Sequence, residues 1–176
     1  MPKSLIRNYG LRWHSSRVVW SGRTDEVGLW GVPARKRRTK PVDFANQVAI
    51  YVLYDGEAPV YVGQTGSSAN RLLSRLKNHR ADRLADRWDR FSWFGLCDVA
   101  PDGYLVAKPS VHATKPAAVL DQIEAVLVES VEPRLNRQGG QFGENVVRYL
   151  QFPDSRDQLT DSVLLKDLHS ALISKP

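Results

Sequence analysis

Two tyrosines, an arginine, a histidine and a glutamate are the residues of this chain whose types and spacing suit chemistry. Tyr51 lies in the apolar run Val48-Ala49-Ile50-Tyr51-Val52-Leu53-Tyr54, and Tyr61 in Pro59-Val60-Tyr61-Val62-Gly63-Gln64-Thr65-Gly66. β-Branched and aromatic residues on either side of Asp55-Gly56-Glu57-Ala58 predict a β-hairpin, which puts the two phenols on adjacent strands. The basic stretch Arg71-Leu72-Leu73-Ser74-Arg75-Leu76-Lys77-Asn78-His79 follows and predicts a helix. It offers guanidinium groups to grip an anion and an imidazole to move a proton. A free phenol ionises near pH 10, so a tyrosine acting as base near pH 7 needs a shift of about three units, or ~4 kcal/mol of local stabilisation. Histidine titrates near neutrality and needs far less. The base is therefore either Tyr51 or His79.

Glu124 draws attention by its position. A helix is predicted from about Pro116 to Val131, with Pro116 in its first turn and Pro133 beyond its end. On the helical wheel Leu120, Leu127, Val128 and Val131 share one face, and Glu124 falls inside that stripe. An inward carboxylate costs several kcal/mol of desolvation unless a cation meets it. The partner is then an arginine of a neighbouring helix or a metal ion. Mg²⁺ keeps several waters and takes only one or two protein carboxylates, so a lone glutamate suffices for one Mg²⁺ or Mn²⁺. Asp98, Asp102 and Asp121 are not spaced to join Glu124 in a two-metal cluster.

Taken in order, these pieces resemble the GIY-YIG nuclease family. Its first signature stands here as Ala49-Ile50-Tyr51 and its second as Tyr61-Val62-Gly63. The helix pattern Arg-Leu-x-x-His stands as Arg75-Leu76-Lys77-Asn78-His79. The last piece is Glu124 twelve residues before Asn136, within Pro133-Arg134-Leu135-Asn136. The resemblance spans roughly residues 46–138 and departs from the family at Ala49, where the signature has glycine.

The resemblance implies an α/β (α+β) fold: a small, mainly antiparallel three-stranded sheet flanked by helices. It implies a divalent-metal-dependent DNA endonuclease that hydrolyses phosphodiester bonds with one cation on Glu124, leaving 5′-phosphate and 3′-hydroxyl ends. Tyr51, or a water beside it, would begin proton removal, and Tyr61 would orient water or phosphate. Arg75 would grip the phosphate, with Arg71 as a competitor for that role. Asn136 would orient a metal-bound water or brace the Glu124 helix. Gln64 and Thr65 would lie near the substrate. DNA is the expected partner and RNA a second one. Restriction or antiviral defence is the expected setting. The alternative is a non-cleaving nucleic-acid-binding module or an interaction subunit of a larger DNA-processing complex.

Composition sets the frame. With 42% hydrophobic and 25% charged residues, the 176-residue chain fits one folded domain with extensions. It contains no apolar run of membrane-spanning length, and its N-terminus lacks the apolar stretch of a signal peptide, so a cytoplasmic protein is expected. Cys97 is the only cysteine, which excludes an internal disulfide and a Cys-rich zinc site. The net charge of +6 is uneven: residues 1–40 hold ten Lys or Arg against Asp25 and Glu26, a local +8, leaving −2 for the rest. Such asymmetry suits a polyphosphate partner. Arg35, Lys36, Arg37, Arg38 and Lys40 form the stretch expected to lie along a phosphate backbone.

The predicted organisation is a basic, Trp-containing extension over 1–45, a nuclease-like core over 46–138 and a C-terminal extension over 139–176. Arg90–Leu96 and Val146–Leu150 read as further strands, and Leu164, Leu165, Leu168 and Leu172 mark a last amphipathic helix. Arg75, His79, Arg83 and Arg87 recur every four residues, one ridge if the helix runs on. Asp82, Asp86 and Asp89 interleave with them as salt-bridged surface. One site cuts one strand, so double-strand cleavage requires a homodimer or sequential nicking. The final helix and the aromatic N-terminus are candidate dimer surfaces.

Overall fold

The apolar runs around Asp55-Gly56 form the expected hairpin. In the computed structural model, which describes residues 4–24, 26–35, 40–65, 70–109, 116–132, 138–143 and 145–152, its strands are β4 (Ala49–Asp55) and β5 (Ala58–Gln64). Gly56 takes φ +57° in the turn, a conformation that costs glycine nothing. The predicted third strand forms as β6 (Arg90–Gly95) and pairs antiparallel with β4, with Tyr51 opposite Trp93. These are the three antiparallel strands expected from the resemblance, and they make up one end of a larger sheet.

Among the described residues that sheet has seven strands, a correction to the three predicted. The others are β1 (Asn8–His14), β2 (Trp30–Pro33), β3 (Val42–Asp43) and β7 (Val147–Gln151), in the order β3-β2-β7-β1-β6-β4-β5. Only the β1–β7 pair is parallel. The predicted N-terminal extension thus contributes β1, β2 and β3 to the sheet, and β1 lies between β7 and β6. Its period-two pattern is obscured in the sequence by a register shift between Gly10 and Trp13, where Arg12 sits at φ +53°. The bulge turns the fully buried Trp13 into the core against Phe44, Phe91 and Trp93. Several basic residues of this region are also spent on structure. Arg7 grips Asp98 with two bonds of 2.7 and 2.9 Å, and Arg12 stacks on the Tyr54 ring.

Among the described residues two α-helices cover opposite faces. Helix α1 (Leu72–His79) buries Leu72, Leu73 and Leu76 on the face that carries Tyr51, Leu53, Phe91 and Trp93. It stops at His79, so Arg83 and Arg87 do not extend its ridge. The Trp88 indole donates to the His79 carbonyl at 3.4 Å. Helix α2 (Pro116–Val131) has the predicted bounds and packs through Ala125 on Ile6, Phe94 and Phe142. Phe94 alternates with Trp93 along β6, so α2 lies on the other face.

The predicted inward stripe of α2 is wrong. Leu120, Leu127 and Val131 are 66, 56 and 53% exposed, and Glu124 is exposed as well. The face turned to the protein is small and polar. Gln122 accepts from the Ile6 amide and donates to the Phe142 carbonyl, and the Ser130 carbonyl accepts from the Tyr54 hydroxyl. Hydrogen bonds, which a hydrophobic wheel does not see, set the rotation of this helix.

Candidate active site

The β4–β5 hairpin and α1 bring four of the predicted residues together. Tyr51 points from β4 toward α1, and its hydroxyl lies 2.7 Å from His79 Nε2. Arg75 Nε donates to the same hydroxyl at 3.3 Å. Tyr61, from β5, sets its ring edge-on to His79 with centroids 4.8 Å apart, and 6.2 Å from the Tyr51 ring. Arg75 and His79 are four apart on one helix face, which is why one turn of α1 reaches both sides of the phenol.

Gly63 makes this cluster possible. It pairs with Tyr51 across the hairpin, and a Cβ there would collide with the Tyr51 hydroxyl and would lie 2.8 Å from Tyr61 Cε1. The missing side chain lets the Tyr51 ring lie flat over β5 beside Tyr61. The glycine of the Tyr-Val-Gly signature thus has a steric reason.

Depth separates the members. Tyr51 is fully buried and His79 nearly so, whereas Tyr61 and Arg75 are half-buried and reach the surface. Burial raises the pKa of Tyr51; the hydrogen bond and charge of Arg75 pull it back, and Tyr61 adds to the rise. Because the folded value lies above the ordinary one, unfolded chains ionise first, and stability falls as pH climbs past about 10. In a spectrophotometric titration of wild type minus Tyr51→Phe, one phenol is expected to ionise above the usual tyrosine range. A difference curve centred at or below pH 10 would show that burial does not control this group.

Asp82, missed in the sequence, completes the cluster. Its Oδ2 lies 2.7 Å from His79 Nδ1, and its Oδ1 accepts the Leu84 amide at 2.7 Å. An aspartate three residues after a helix-terminal histidine was the available signal.

Other predicted residues lie elsewhere. Arg71 precedes the first turn of α1, where its carbonyl accepts from Ser74 and Arg75, and its charge acts on Cys97. Of the two arginines, Arg75 is the one bonded to Tyr51. Thr65 is buried, its hydroxyl donating to Gln47 and accepting from the Ala49 amide, so it has no hydroxyl edge for a substrate. Gln64 pairs with Ile50, and strand alternation puts it on the face opposite Tyr61. Lys40 lies over the Tyr104 ring, and Arg35 lines a groove with Tyr9 and Arg148. Lys36, Arg37, Arg38 and Asn136 lie outside the described residues, as does the predicted helix marked by Leu164, Leu165, Leu168 and Leu172.

A cation at a phosphate beside Arg75 needs oxygen donors on this face. Asp82 is the carboxylate in contact with the cluster, and both its oxygens are engaged. Glu124 lines a cleft with Asp121, Gln138 and Gln141 on the far side of the sheet. Among the described residues no group of three or more His, Cys, Asp or Glu could hold a metal ion. The described residues around Tyr51 and Arg75 thus do not fit the one-cation site that the resemblance implies.

The fold and cluster define an α+β protein with a phenol–imidazole–carboxylate chain and an adjoining guanidinium. Comparison of the chain with protein-family models, with curated proteins and with solved structures finds no match. Among the described residues no helix is long and apolar enough to cross a membrane.

Proposed function

We propose that this protein is an endonuclease of the GIY-YIG kind that hydrolyses phosphodiester bonds in DNA, in a setting such as restriction or antiviral defence. The observation that carries the reading is Tyr51, bonded at once to His79 and Arg75, with Tyr61 packed against both rings. Three of these four side chains move protons or hold them, and the fourth is a permanent cation. Arg75 has five N–H donors, so bonding Tyr51 through Nε leaves others to meet a phosphate. It would offset charge as the phosphorus becomes five-coordinate. Tyr61, which shares the surface with it, would hold the attacking water.

A second reading, a nucleic-acid-binding module that does not cut, is favoured by one observation: Tyr51 is fully buried, so water does not touch it. Nicking of supercoiled plasmid in Mg²⁺, Mn²⁺ or EDTA separates the two. Cutting that Arg75→Gln abolishes supports the nuclease; salt-dependent DNA binding with no cutting under any condition supports the module. The same assay tests the cation that the resemblance implies.

Glu124→Gln is expected to leave the unfolding free energy unchanged within about 0.5 kcal/mol, as for an ordinary surface position. A large shift in either direction would return Glu124 to a buried, cation-matched role. Loss of nicking without loss of stability would restore it as a metal ligand and overturn the separation seen across the sheet.

A further inference from the structure

Asp82 has no part in the reading above, on which the following rests. It sits in the turn after α1, its Oδ1 fixed by the Leu84 amide and its Oδ2 against His79 Nδ1. The Leu84 amide first, and His79 second, lower its pKa, so the carboxylate stays ionised. An ionised carboxylate only accepts hydrogen bonds, so His79 Nδ1 must carry the hydrogen. In the neutral ring Nε2 is then a bare acceptor. The opposite end of the cluster fits the same arrangement. Arg75 Nε can only donate, so the Tyr51 oxygen accepts from it, and the Tyr51 hydrogen is available to His79 Nε2. The Asp82 contact selects the tautomer and the Tyr51 contact is compatible with it.

Burial decides which group meets water. Tyr51 and His79 are enclosed, Tyr61 reaches the surface at one end, and the Asp82 side chain is 41% exposed at the other. The Tyr61 ring lies with its centroid 6.2 Å from that of Tyr51 and 4.8 Å from that of His79.

We propose that these groups form a proton relay running from Tyr61 through Tyr51 to His79, and that Asp82 is its positioning residue, holding His79 with Nε2 free to accept. As the attacking water forms its bond to phosphorus, one of its O–H bonds breaks and that proton goes to the Tyr61 oxygen. The Tyr61 proton passes to the Tyr51 oxygen, and the Tyr51 proton to His79 Nε2. Both phenols end neutral and one imidazolium is formed beside the Asp82 carboxylate. No phenolate accumulates, which matters for a tyrosine whose burial disfavours the charged form. The leaving oxygen takes its proton from solvent, and the imidazolium returns its Nε2 proton to the Tyr51 oxygen as Tyr51 passes its own to Tyr61 and Tyr61 releases one to solvent.

The test pairs a spectroscopic readout with kinetics in the full chain. ¹⁵N-histidine NMR, with the His79 signals assigned by their loss in His79→Gln, reads the tautomer directly. The wild type is expected to show the Nδ1–H form. In Asp82→Asn the amide oxygen can keep the Leu84 bond while its NH₂ faces Nδ1, so the ring is expected to switch to Nε2–H with the fold retained. For plasmid nicking, Asp82→Asn should lower kcat roughly tenfold to a hundredfold with KM unchanged, below the loss known for a buried triad aspartate. Asp82→Glu, which keeps the charge, should recover part of it. An Nε2–H ring in a wild-type chain that nicks DNA overturns the relay and leaves the nuclease standing. A wild type that never nicks overturns the nuclease, while the tautomer still decides whether Asp82 orients His79. An Asp82→Asn effect confined to KM also overturns the relay.

Discussion

Replacing Tyr51 with phenylalanine is expected to slow DNA nicking by roughly 100-fold or more while leaving the protein folded, the range found when a positioned proton-transfer group is removed. The substitution deletes one oxygen and keeps the ring that packs beside Tyr61 and under α1. His79 Nε2 and Arg75 Nε each lose the partner they hold at 2.7 and 3.3 Å. His79 is buried, so its unpaired nitrogen costs about 1–3 kcal/mol of stability, which urea denaturation would read. Arg75 reaches solvent and recovers a water. Substrate affinity, set by charge at the surface, should change little, so the loss falls on kcat. A Tyr51→Phe protein that nicks within threefold of wild type would show that the buried phenol is only packing, and with it the case for chemistry at this hairpin would fail.

The hairpin, β6, the bounds of α2 and β7 were legible because each rests on local signals: a turn dipeptide, alternating apolar residues, or prolines at helix ends. What stayed hidden depends on contacts between distant segments. The central position of β1 could not be read because the bulge at Gly10–Trp13 breaks its alternation, and its neighbours β6 and β7 lie far along the chain. The rotation of α2 misled for a related reason. Its Leu120, Leu127 and Val131 look like a core stripe, but Gln122 bonds the backbone of Ile6 and Phe142, and the Ser130 carbonyl bonds Tyr54 of β4, which turns that stripe outward. Glu124 went with it. At the site, spacing put Arg75 and His79 on one helix face and the family resemblance implied that this face meets Tyr51, whereas Asp82 looked like one more acid among arginines. Its role shows only once α1 is seen to end at His79, which places the following turn against the ring.

Gly63→Ala tests the packing that brings the cluster together. The added methyl must enter space held by the Tyr51 hydroxyl and, at 2.8 Å, by Tyr61 Cε1. Both obstacles belong to aromatic rings packed beside α1, joined in the case of the hydroxyl by the Tyr51 ring carbon Cζ, so neither swings aside as a flexible chain end would. Overpacking of this kind costs about 1–3 kcal/mol. The ring has to slide along β5, and the 2.7 Å contact with His79 is the first to open. Nicking is expected to fall about as far as in Tyr51→Phe, although every hydroxyl, imidazole and guanidinium is still present. The double mutant isolates the cause. With Tyr51 already phenylalanine the hydroxyl is gone, though the ring carbon Cζ still stands in the way, and there is no relay left to misalign. Adding Gly63→Ala should then still cost stability but almost no further activity. An activity loss that multiplies with that of Tyr51→Phe would mean that Gly63 weakens the strand for its own reasons and does not hold a place for Tyr51.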